Sequence, residues 1–163
     1  MGYTTEFRGS FKVTPALEPR HRDYLAAFCS TRRMQRDAHA TKLRSDPVRR
    51  AVNLPVGVEG EYYVGEEGFR GQGQGAGILD YNTPPVTQPG LWCQWAPTED
   101  GTAIEWDGNG KFYHYVEWLE YIIDNFLDRW GYTVNGEVEW RGEEWSDTGV
   151  IVVENNEVIA TER

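Results

Sequence analysis

The chain has 163 residues, with 16 Lys/Arg against 26 Asp/Glu and a net charge of −10. That length suits one domain spanning 1–163, and the acidity argues against general nucleic-acid binding through phosphate contacts. Two distant cysteines make no disulfide framework, the apolar runs are too short to span a membrane, and no basic-then-apolar leader follows Met1. The expectation is a single-domain cytoplasmic protein.

The charge is uneven. Residues 1–50 carry eleven Lys/Arg and five Asp/Glu, a net of +6; residues 51–163 carry five and twenty-one, a net of −16. The acidic part suits solubility, a basic partner or mimicry of nucleic acid. The 22 aromatic residues (seven Trp, nine Tyr, six Phe) are enough to fill a core.

Tyr3 to Thr14 alternates, with Tyr3, Thr5, Phe7, Phe11 and Val13 on one parity. This predicts a half-buried strand, with Gly9 a bulge or bend. A helix is expected over Pro19 to about Asp37, burying Tyr24, Leu25, Phe28 and Met34. Arg22, Arg32, Arg33 and Arg36 form its basic side, and Arg32 with Arg36 share a face. These arginines either solvate the helix or pair with the acidic half, or they bind an anionic ligand or a carboxylate-rich partner through bidentate hydrogen bonds.

Residues 37–60 read as a connection. Ala38 to Leu43 prolong the helix, and Asp46-Pro47 opens a short one ending near Val52. Glu61 to Val64 reads as a strand. Gly65 to Gly77 holds six glycines in thirteen residues, the composition of a flexible surface loop. Its Gly71-Gln72-Gly73-Gln74-Gly75-Ala76 formally matches a dinucleotide fingerprint. No helix follows it, so the required context is missing.

Leu91 to Tyr132 reads as strand, turn, strand, turn, long helix. Leu91, Cys93 and Trp95 alternate; Ala103 to Trp106 returns as the antiparallel partner. Trp92, on the other parity, offers a stacking wall near the arginines. From about Lys111 to Trp130, Phe112, Tyr115, Val116, Leu119, Ile122, Ile123, Phe126 and Trp130 make one apolar helical stripe. Glu117, Glu120, Asp124 and Asp128 lie away from it. Tyr132 to Arg141 is a further strand, with Asn135-Gly136 a hairpin turn or a bulge. Glu143 to Asp147 is an acidic loop. Gly149 to Glu154 and Val158 to Thr161 flank Asn155-Asn156, a two-residue hairpin turn.

The stretches LWCQW (91–95), DGTAIEWDG (100–108), YVEWLEY (115–121) and GY-x-x-NGEVEW (131–140) resemble a family of small uncharacterised bacterial and phage-associated proteins. Thr31-Arg32-Arg33-Met34 and Asp80-Tyr81-Asn82 extend the resemblance over most of the chain. It implies one folded unit and a mobile-element setting, and transfers no catalytic residue.

No zinc, P-loop or nucleophile-elbow motif is present. Glu105 and Asp107 flank Trp106, as carboxylates flank an aromatic wall in glycoside-hydrolysing sites. His114 stands one turn before Glu117. The sequence therefore leads to an α+β fold, a mainly antiparallel twisted sheet with two helices packed on one face. The leading function is binding, by occupying a host protein or sequestering a small anionic ligand, with Arg32, Arg33, Arg36 and Trp92 as candidate contacts. No cofactor and no metal is expected. The alternative is a small hydrolase using Glu105, Asp107 or His114.

Overall fold

The computed structural model describes residues 2–65 and 77–163. The first elements are β1 (Glu6–Thr14), α1 (Pro19–Cys29), β2 (Gln35–Arg36), α2 (Ala38–Lys42), α3 (Pro47–Ala51) and β3 (Ile78–Asp80). After them come β4 (Trp95–Pro97), β5 (Ala103–Trp106), α4 (Tyr115–Ile122), β6 (Thr133–Arg141), β7 (Thr148–Glu154) and β8 (Glu157–Glu162). The fold is α+β, and every strand pair is antiparallel. The chain forms two compact units: a sheet unit of Met1–Glu18 with Gln94–Arg163, and an inserted unit of Pro19–Cys93. The glycine-rich loop expected at 65–77 falls largely on 66–76, outside the described residues.

The sheet unit holds six strands in the order β4-β5-β1-β6-β7-β8. The expected alternation of β1 is borne out: Phe7, Phe11 and Val13 are buried, while Glu6, Arg8, Ser10 and Lys12 are exposed. Its register with β6 runs unbroken from Glu6↔Arg141 to Thr14↔Thr133, so Gly9 marks no bulge and Asn135-Gly136 no turn. Gly136 takes φ 144°, and a Cβ there would stand 2.8 Å from the Ser10 carbonyl oxygen. The glycine lets the two backbones approach at that rung. Asn155 and Asn156 both take positive φ, as a two-residue turn between β7 and β8 requires.

One face of this sheet is dry and aromatic. The Phe7 ring lies 5.3 Å from Trp95, 5.7 Å from Phe112 and 5.0 Å from Tyr115, in edge-on geometry. Trp95 also donates its indole N–H to the Tyr115 carbonyl at 2.7 Å, tying β4 to the start of α4. The helix is shorter than its stripe predicts. Lys111 and His114 adopt left-handed backbone, so α4 starts only at Tyr115. A π-helical turn over Ile123–Leu127 continues it. The wider turn brings Leu127 to the buried side with Ile123 and Phe126, and Trp118 is fully buried rather than flanking the stripe.

Leu91 to Gln94 forms no strand; regular pairing begins at Trp95, just past the boundary between the units. In the inserted unit α1 ends at Cys29, well before Asp37. The Ser30 and Thr31 hydroxyls bond back to the Ala26 and Ala27 carbonyls at 2.9 and 2.7 Å, closing off the helix end. Residues 38–42 are a separate helix, capped by the Asp37 carboxylate on the His39 and Ala40 N–H groups. The expected short helix after Asp46 is present as α3, and Glu61 to Val64 is turn and irregular chain. Among the described residues no helix is long and apolar enough to cross a membrane.

Leu119 is fully buried in the sheet unit, whereas the Glu117 side chain is 58% exposed. Leu119→Ala is expected to lower unfolding free energy by about 2–5 kcal/mol, and Glu117→Ala by less than about 0.5 kcal/mol. Denaturant unfolding measures both; equal losses would contradict the assigned helix face.

Candidate functional site

The inserted unit collects the arginines named from sequence, but does not display them along a helix. Arg32 lies in the loop after α1, its guanidinium 4.2 Å over the Tyr81 ring. It donates from Nε to the Tyr81 carbonyl at 3.0 Å and from Nη2 to Asn82 Oδ1 at 3.3 Å. Two separated motif stretches, Thr31 to Met34 and Asp80 to Asn82, thus meet.

Arg33 and Arg36 are almost completely buried. Arg33 stacks 4.4 Å over Phe28 and donates to the Tyr63 carbonyl. Arg36 stacks 4.5 Å over Tyr63. Burial, then the neighbouring Arg33 charge, pulls the Arg36 pKa down to about 10. Beside them the buried Asp46 accepts from Arg49 Nε at 2.5 Å and from the Gly65 N–H at 2.8 Å. These charges belong to the interior of the unit, whose tyrosines and arginines pack ring against guanidinium. Trp92 is half-buried in the irregular segment ahead of β4.

Of the hydrolase candidates, Asp107 and His114 are engaged locally. Glu105 is exposed, opposite Ala96 in the β4–β5 ladder. Asp107 accepts from the Asn109 N–H at 2.9 Å, and burial raises its pKa. His114 Nδ1 lies 3.8 Å from Glu117 Oε2, both side chains open to solvent. Among the described residues no group of three His, Cys, Asp or Glu could hold a metal ion.

A different surface stands out on the sheet unit, at the start of α4 and the β6–β7 loop. The loop is held from several sides. Gly142 N–H donates to the Asp147 carbonyl at 2.8 Å, and Asp147 N–H to the Glu144 carbonyl at 2.9 Å. The Asp147 carboxylate accepts from the Tyr3 hydroxyl at 2.6 Å and from the Trp140 indole N–H at 3.2 Å. That bond to a carboxylate raises the Tyr3 pKa. The Tyr3 hydroxyl in turn accepts from Glu144 N–H at 3.3 Å, and Tyr3 N–H donates to the Tyr113 hydroxyl at 3.0 Å. Gly149 leaves room for the Trp140 ring, which a Cβ there would strike at 2.1 Å.

Carboxylates surround this frame. Glu143 and Glu144 lie in the loop and are exposed. Burial pushes Tyr115 up to about 12, assisted by the fields of Asp147, Glu117 and Glu162. Between Glu144 and Asp147, Trp145 stands 85% exposed, and Tyr113 is 48% exposed. The result is an aromatic and acidic surface on a braced loop. Sequence reading identified the acidic loop and passed over Trp145, although a tryptophan inside an acidic turn was the available signal.

The buried setting of Arg36 yields a test. Arg36→Glu is expected to cost about 3–5 kcal/mol of stability, because it replaces the guanidinium stacked on Tyr63 with a shorter carboxylate that must be buried without that stack. Arg32→Ala, at the margin, is expected to cost no more than about 1 kcal/mol. Denaturant unfolding of the two variants compares them; a mild effect of Arg36→Glu would contradict its interior role. Comparison with protein-family models, curated proteins and solved structures finds no match to this chain.

Proposed function

We propose that the protein acts by binding, and that its sheet unit occupies a basic face of a partner protein. The observation that carries this reading is the partition of charge. The inserted unit has ten Lys/Arg and eight Asp/Glu, a net of +2; the sheet unit has six and eighteen, a net of −12. Part of the sheet charge is matched across strands, where Glu6 faces Arg141 and Arg8 faces Glu139. The acids around Tyr115 and the β6–β7 loop add to the unmatched excess. A field of that kind accelerates encounter with a basic surface and repels phosphates.

The interior placement of Arg33 and Arg36 moves the reading away from a small anionic ligand and toward a protein. Local engagement of Asp107 and His114 leaves the hydrolase reading less support than binding. The resemblance to phage-associated proteins favours a host protein as the target, within a bacterial cytoplasm.

Glu144 and Glu162 are exposed, so a Glu144→Lys/Glu162→Lys variant is expected to fold normally. Tagged wild-type and variant protein are used to capture partners from bacterial lysate at roughly 50 mM and 500 mM salt, which spans strong and weak screening. The expected outcome is a basic partner held by wild type at low salt, released at high salt and reduced about tenfold on the variant. Partners retained equally under all these conditions would contradict an acidic docking face.

A further inference from the structure

We infer that the β6–β7 loop, 142–147, is the contact point for an arginine-bearing segment of the partner, with Trp145 as the ring that receives the guanidinium. This rests on the binding role proposed above and names the chemistry at one place on the surface. The carboxylates by themselves would attract any cation. Trp145 narrows the choice.

An indole left 85% exposed offers a broad face whose quadrupole attracts cations. Tryptophan and arginine are both over-represented among residues that dominate binding energy. The loop around Trp145 is braced at Gly142, Glu144 and Asp147, so little backbone freedom is lost on contact. Glu144 lies beside the ring in sequence. Glu143, whose Oε1 accepts from Thr4 N–H at 2.8 Å, is fixed on the same loop.

A planar guanidinium can lie flat on the indole and point its N–H donors at a neighbouring carboxylate. A lysine ammonium reaches the same charge without the flat stack or the forked donors. An apolar partner residue would cover the indole and leave the carboxylates desolvated. Arginine satisfies both halves of the site. The chain uses the same pairing internally: Arg32 over Tyr81, Arg33 over Phe28 and Arg36 over Tyr63 all stack at 4.2 to 4.5 Å. Of the chain's own cations near this end, Arg141 faces Glu6 across the ladder.

The test titrates the full chain with two peptides of equal length, oligo-arginine and oligo-lysine, by calorimetry at low salt. Wild type is compared with Trp145→Ala and Trp145→Phe. The expected result is tighter binding of the arginine peptide, an approximately tenfold loss of that affinity in Trp145→Ala and most of it kept in Trp145→Phe. The lysine peptide should change much less. If Trp145→Ala binds the arginine peptide as wild type does, the assignment of Trp145 is overturned while the acidic docking face stands. If wild type binds neither peptide, the docking face itself is overturned.

Discussion

The sheet unit depends on one strand reaching its place. β1 comes from the start of the chain and sits between β5 and β6, which follow it by about ninety residues and more. Without it the six-stranded sheet falls into two separate pieces, β4-β5 and β6-β7-β8. The hydrogen-bonded ladder alone would not select this arrangement, because a one-residue slip would turn Phe7, Phe11 and Val13 to water. Phe7 fixes the register by fitting among Trp95, Trp106, Phe112 and Tyr115. The same strand then leads back through Thr4 and Tyr3 to the β6–β7 loop, so the register of β1 also positions the proposed contact surface.

The two units handle charge in opposite ways. The inserted unit takes guanidiniums inside and shields them with aromatic faces, carbonyl acceptors and a buried aspartate. Arginine tolerates this because its charge is spread over a plane and weakly hydrated. The sheet unit keeps carboxylates outside, where water stabilises them and a partner can reach them. Buried arginines contribute to a particular interior arrangement more than to net stability; exposed carboxylates contribute little to stability and much to encounter. A ligand-binding role is therefore better sought on the acidic surface than among the arginines that sequence alone brought forward.

Period-two and helical patterns were legible where one face of an element is buried and the other wet. β1, β6, the Asn155-Asn156 turn and the stripe of α4 all follow from that contrast. The errors came from local geometry that hydrophobicity does not encode. Left-handed Lys111 and His114 delay α4, and the π turn rotates Leu127 inward. Hydroxyls at Ser30 and Thr31 end α1, so the three arginines beyond it never share a helix face. Charge also misled: Arg33 and Arg36 look like surface residues in sequence, and only stacking partners distant in the chain explain their burial. Trp145 is the converse, an apolar residue outside, and its neighbours from Glu143 to Asp147 carried the hint.

The central claim is that an accessible indole sits in a field of negative charge. Collisional quenching of tryptophan fluorescence reads both properties at once, with the Trp145→Phe variant isolating the contribution of that side chain. Caesium and iodide carry opposite charge, so their relative efficiency reports the local potential. The account predicts a component, lost in Trp145→Phe, that caesium quenches strongly and iodide weakly. An equal response to the two ions, or no quenchable component assignable to Trp145, would contradict it.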